Sequence, residues 1–198
     1  MEKVKVKRSN PVLDMTPMVD LAFLLVTFFM LTTKFAADEP VVVDTPSSVS
    51  EIKLPDTDML TVTISQEGKV FFNVDGRQTR EKLLYKMGEK YGVSFSAEDI
   101  QHFAVMSSMG VPVGNLKEFL ASDSESRKHM VQGGVPCDST HNELADWIVF
   151  TRMTNPKVRI AIKGDGEAPY PVVKKVLNTL QDANVNRFNM ITDLEKIS

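Results

Sequence analysis

The stretch from Pro17 to Ala37 reads PMVDLAFLLVTFFMLTTKFAA, and no other part of the chain runs apolar for so long. At 1.5 Å rise per residue, about 20 residues reach across a hydrocarbon core of about 30 Å. Leu21 to Leu31 carries neither charge nor glycine, and Asp20 stands at its N-terminal end. That uncharged run alone is short for a span, so a membrane helix here draws the Asp20 carboxylate inward. An ionisable group in such a place is costly and marks a functional candidate.

Working outward, the 198 residues leave room for one span and one modest folded domain. Composition is ordinary, with 42% hydrophobic and 25% charged residues and a net charge of −3. The charge is unevenly placed. In residues 1–16, Lys3, Lys5, Lys7 and Arg8 meet only Glu2 and Asp14, whereas the chain beyond residue 37 is acidic on balance. The positive-inside rule then keeps the N-terminus in the cytoplasm and sends the rest outward in a single pass. An acidic outer domain argues against a nucleic-acid partner. A cleavable signal peptide is the competing reading, since such segments use about 7–15 apolar residues before a small-residue site. Here the run contains Asp20 and closes on Phe35-Ala36-Ala37, which favours an uncleaved anchor. Cys137 is the only cysteine, so no disulfide can form within the chain and the fold rests on its core.

The expected organisation is a single N-terminal transmembrane helix (17–37) after a cytoplasmic tail (1–16), an extended linker (38–58) and an outer α+β domain (59–198). Thr16-Pro17 supplies an N-cap followed by proline at the first helical position. Pro40, Pro46, Pro55 and Ser47-Ser48-Val49-Ser50 give the linker its extended character, with a short strand at Val41–Val43. Leu60-Thr61-Val62-Thr63-Ile64 alternates at period two, turns through Gln66-Glu67-Gly68-Lys69, and returns as Val70-Phe71-Phe72-Asn73-Val74. After this β-hairpin comes a helix from Thr79 to Lys90. The chain closes as strand–helix–strand: Val158–Lys163, Tyr170–Ala183 and Arg187–Ile191. Residues 92–156 read as a helical insertion, with helices over Ala97–Met106, Val113–Leu120 and Asn142–Met153 and a loose loop over Ser122–Thr140.

Burial in a low dielectric raises a carboxyl pKa, so Asp20 in the bilayer can take a proton on one side and release it on the other. Moving one charge through the membrane potential is worth about 2.3 kcal/mol per 100 mV. On a helix, Leu24, Thr27 and Leu31 share the Asp20 face at spacings of four, seven and eleven. Thr27 is the hydroxyl on that stripe, able to hold a water or donate to the carboxylate. A lone carboxylate does not face lipid, so the stripe should meet a protein partner that this chain does not encode. Two other readings of Asp20 stay open: an interfacial or helix-capping carboxylate, favoured by the helix dipole near the N-terminus, and some other polar contact.

The segment Leu13-Asp14-Met15-Thr16-Pro17-Met18-Val19-Asp20, followed by Leu21 to Leu31, resembles the membrane segment of the ExbD/TolR family. Thr16, Pro17 and Asp20 fall on that family's signature. The ending is similar too, with a strand, Asp165, Tyr170, an amphipathic helix, Ala183 and a last strand. The resemblance implies an ExbD-like subunit of a proton-motive-force-driven motor in the bacterial inner membrane, with the domain in the periplasm. It further implies a pore oligomer of a multi-span ExbB/TolQ-like partner, a TonB/TolA-like transducer, a homodimer, Asp20 as the proton-carrying residue, and protons as coupling ion with no other cofactor. Where the family often has Asn-Leu-Pro after the membrane, this chain reads Asp44-Thr45-Pro46. The insertion exceeds the usual compact domain and could meet a partner, peptidoglycan or the second subunit.

Other candidate sites are weaker. His129, Cys137 and His141 lack a fourth ligand and a zinc-like spacing, so no metal site is expected. Gly164-Asp165-Gly166 fits a turn and neither phosphate-binding glycine pattern. Ser107, Ser108 and Ser124 have no nucleophile setting, so the chain is not read as an enzyme. Trp147-Ile148-Val149-Phe150 reads as core, and Lys174-Lys175 as a solvated pair or a contact with cell wall or partner. Two further functions compete with the uptake motor: a TolR-like envelope-integrity subunit, and a membrane-anchored cell-wall-binding module with no proton role.

Overall fold

A computed structural model of the protein describes residues 15–32, 43–48, 57–122, 126–127, 130–138, 140–191 and 193–194. The chain divides into two compact units, Met1–Ala36 and Ala37–Ser198.

In the first unit, helix α1 covers Thr16–Thr32. The Met15 carbonyl accepts the Val19 N–H at 3.0 Å, so the helix opens one residue earlier than the sequence suggested. Pro17 therefore stands at the second helical position, where its missing N–H is still no loss, because the first four N–H groups of any helix lack a partner inside it. None of the α1 side chains is buried by this chain. Apolar side chains lie on every side of the helix rather than on one stripe. Its 17 residues rise about 25 Å. Among the described residues no helix is long and apolar enough to cross a membrane. The remainder of the expected 17–37 span, from residue 33 onward, lies outside the described residues.

The second unit is an α+β domain on a mixed sheet. Strand β1 (Ser47–Ser48) precedes the hairpin of β2 (Met59–Ile64) and β3 (Val70–Val74). Helices α2 (Arg77–Tyr91), α3 (Ala97–Val105), α4 (Val113–Ala121) and α5 (Glu143–Thr154) follow, then β4 (Arg159–Gly164), α6 (Tyr170–Asp182), β5 (Asn189–Ile191) and β6 (Asp193–Leu194). Four strands lie in the order β3-β2-β4-β5, antiparallel in the hairpin and parallel from β2 to β5. Register follows the period-two pattern: Leu60, Val62 and Ile64 pair with Val74, Phe72 and Val70 on one side. On the other side Leu60 and Val62 pair with Ile160 and Ile162. These residues form one apolar face, and Leu83, Leu84 and Met87 of α2 with Val176 and Leu180 of α6 belong to the same core.

The insertion is part of that core. Phe103, Leu116, Leu120, Leu144, Trp147 and Ile148 all belong to it. Trp147 is fully buried, its ring 5.3 Å from Phe72 of the hairpin and 5.9 Å from Phe103 of α3. Arg80 of α2 ties the layers by donating to the Val74, Ala104 and Met106 carbonyls and to Asn73 Oδ1. Burial pulls its guanidinium pKa down, with Asp75 acting the other way. The return loop also holds the hairpin. Phe72 and Met109 exchange both main-chain bonds, and the Val135 N–H donates to the Val70 carbonyl at 2.7 Å. Gly110 makes this approach possible, because a Cβ there would overlap the Phe71 ring. Gly134, at φ +93, lies against the Val70 main chain for the same reason.

One expectation needs correction. Val43 is not in a strand; the strand of the linker lies at Ser47–Ser48, parallel to β6. Nor is residues 43–48 a free tether, since Val43 and Thr45 are buried. Val41 and Val42 lie outside the described residues.

Candidate functional site

On α1, Asp20 is the only ionisable side chain among 17 helical residues. It sits beyond the first turn, which contains no acidic residue. Helix-dipole stabilisation is strongest within that turn and falls off beyond it. The Thr27 hydroxyl donates to the Phe23 carbonyl at 2.9 Å and the Leu24 carbonyl at 3.0 Å. Its proton is thus engaged by the main chain and is not donated to Asp20. Leu24 and Leu31 are exposed along the same stripe.

A second constellation gathers at the end of β4, where the turn after Gly164 meets the linker. The Asp165 carboxylate accepts the Asp44 main-chain N–H at 3.2 Å and the Glu167 N–H at 2.9 Å. The Gly166 N–H returns to the Asp44 carbonyl at 2.9 Å. Gly164-Asp165-Gly166 is a turn, as its composition suggested, but one whose carboxylate binds a remote segment. Sequence reasoning placed Asp165 in the family-like ending and gave it no partner. A main-chain donor carries no side-chain signature, so Asp44 left nothing to read.

A third group braces the insertion. Pro112 offers no side-chain cap to α4, and Glu143 Oε2 takes the Val113 N–H at 2.8 Å instead. Burial pushes the Glu143 carboxyl pKa up; the Val113 bond and His141 oppose this, and Asp146 adds to it. Asn142 caps α5 through Ala145 and donates to Thr179 of α6 at 2.9 Å. Lys175 of α6 pairs with Asp138 at 2.6 Å, both side chains remaining largely exposed. Burial, then Asp138, raises the Cys137 thiol, with Lys175 opposing. His129 lies outside the described residues, and among those described no group of three metal-ligating side chains converges. The Ser108 hydroxyl donates to the Phe72 carbonyl at 3.5 Å, and Ser124 lies outside the described residues.

Residues 6–195 match the family of biopolymer transport protein ExbD/TolR, and the chain belongs to that family. The match runs through the insertion as well as the membrane-proximal signature. No curated protein and no solved structure gives a significant match. Membership makes the chain an energy-transduction subunit of biopolymer transport, from a family that is membrane-anchored and not enzymatic. Such proteins work with ExbB/TolQ-type partners and with TonB or TolA.

Proposed function

We propose that this chain is the ExbD-like subunit of a proton-driven inner-membrane motor that energises a TonB-type transducer for import across the outer membrane. The observation that carries the reading is Asp20: one carboxylate, past the dipole-stabilised turn, in a helix otherwise apolar and uncovered. Helix α1 belongs to the single span, with its N-terminus in the cytoplasm. Thr16 and Pro17 start it, and the Asp20-Leu24-Thr27-Leu31 stripe faces the pore of a multi-span ExbB/TolQ-like oligomer.

Protonation neutralises Asp20 and lets the helix shift inside that pore; loss of the proton on the other side resets it. The motion passes through residues 38–58 into the periplasmic domain, where residues 43–48 are held by Asp165 and β6. A homodimer places two such stripes in one pore, and protons are the only coupling agent required.

Asp20→Asn tests this. The variant should co-purify with the multi-span partner and yet abolish energised import in cells. Full import by that variant would defeat the proposal. An envelope-integrity defect with import intact would assign the TolR-like role instead.

A further inference from the structure

Between Asp20 and Thr32, Thr27 is the one side chain bearing an oxygen or nitrogen. It lies on the Asp20 face two turns further along, about 10 Å in axial distance. It is also the only half-buried residue of α1, with its hydroxyl folded onto the Phe23 and Leu24 carbonyls. A hydroxyl has one proton and two lone pairs. With that proton engaged, Oγ1 is an acceptor held in a fixed direction. It suits a donor, such as water or hydronium, and cannot serve another carboxylate or carbonyl. Thr32 back-bonds in the same way to Phe28 at 2.8 Å, but twelve positions from Asp20 it points about 120° away from the stripe.

We infer that Thr27 is a positioning residue for proton delivery, its oxygen holding a water on the outward half of the path to Asp20. This rests on the proton-carrying role of Asp20 and on the cytoplasmic N-terminus, which together put Thr27 on the side from which protons arrive. A file of waters about 2.8 Å apart needs about three molecules to cover the distance. Leu24 and Leu31 offer such waters nothing, and a buried water requires about two to four polar partners. Thr27 supplies one from the α1 side, and the pore must supply the others. A hydronium beside Thr27 gives one proton along the file, the Asp20 carboxylate becomes the neutral acid, and water remains. Thr27 keeps its own proton throughout.

The test uses the full complex with its multi-span partner, reconstituted in vesicles, with proton flux measured against outer pH. Thr27→Val should retain co-purification and lower the flux about tenfold at neutral outer pH, with the deficit shrinking as the outer side is acidified. Thr27→Ser should match the unaltered protein, and Thr27→Ala should behave as Thr27→Val does. Unaltered flux in Thr27→Val and Thr27→Ala at every outer pH would overturn the inference. So would equal impairment of Thr27→Ser, which would assign the effect to the methyl group. Asp20→Asn is measured beside them. Flux surviving in that variant removes the underlying reading, whereas flux lost there but normal in the Thr27 variants removes this inference alone.

Discussion

The Asp165 carboxylate holds the main-chain N–H of Asp44, 121 positions away in the chain, at 3.2 Å. Asp165→Ala removes the acceptors of both Asp44 and Glu167; both bonds are exposed, so the freed N–H groups turn to water and each loss costs no more than about 0.5–1.5 kcal/mol. The effect should be local. Amide exchange at Asp44 and Thr45 should accelerate at least about fivefold, while the melting temperature moves by no more than a few degrees. Unchanged protection at Asp44 would mean that burial of Val43 and Thr45 alone fixes the segment.

Trp147 is the only tryptophan and lies fully buried against Phe72 and Phe103. Trp147→Ala should cost about 3–5 kcal/mol, the range for deleting a large buried aromatic. Circular dichroism on the full chain should show one cooperative loss, with hairpin and insertion melting together. If the sheet melts unchanged while only helical signal is lost, the insertion is an independent layer.

Gly110→Ala sets a methyl group into the Phe71 ring. Overpacking of this kind costs about 1–3 kcal/mol. Midpoint shifts in urea should show it, and Gly114→Ala, where the added carbon meets nothing, is the control.

Glu143 gives the domain a pH dependence with a definite sign. Burial raises its folded-state pKa above the ordinary 4.5, so the folded state binds this proton more tightly than the unfolded chain. The stabilisation is complete below pH 4.5 and is lost as pH rises through the raised value. Melting temperatures of the unaltered protein and Glu143→Gln should therefore agree at acid pH, apart from a constant offset. Their difference should move in favour of Glu143→Gln as pH climbs above 4.5. A flat difference would show that the Val113 bond and His141 cancel the cost of burial.

Legibility in the sequence followed the range of the interactions. The hairpin over residues 60–74 and the closing helix from Tyr170 were visible because alternation at two and at 3.6 is written locally. The insertion helices fall within a residue or two of the expected bounds; α3 and α5 carry local capping pairs, Ser96 with Asp99 and Asn142 with Ala145, while α4 has none. What they packed against was hidden, because Trp147 meets Phe72 from 75 positions away, beyond the reach of any window. Asp20 stood out by contrast with its neighbours. Asp44–Asp165 and Glu143–Val113 did not, because each depends on a main-chain group that every residue possesses.

The bonds from Met109 and Val135 to Phe72 and Val70 have a consequence for assembly. They occupy Phe72 and the Val70 carbonyl on the outer margin of the hairpin with groups from the same molecule, so a foreign strand docking there would first have to prise the insertion loose. Of the two borders of the four-stranded sheet, the one at β3 is thus occupied by the chain itself. Any lengthening of this sheet at the β3 border therefore has to displace Met109 and Val135 first.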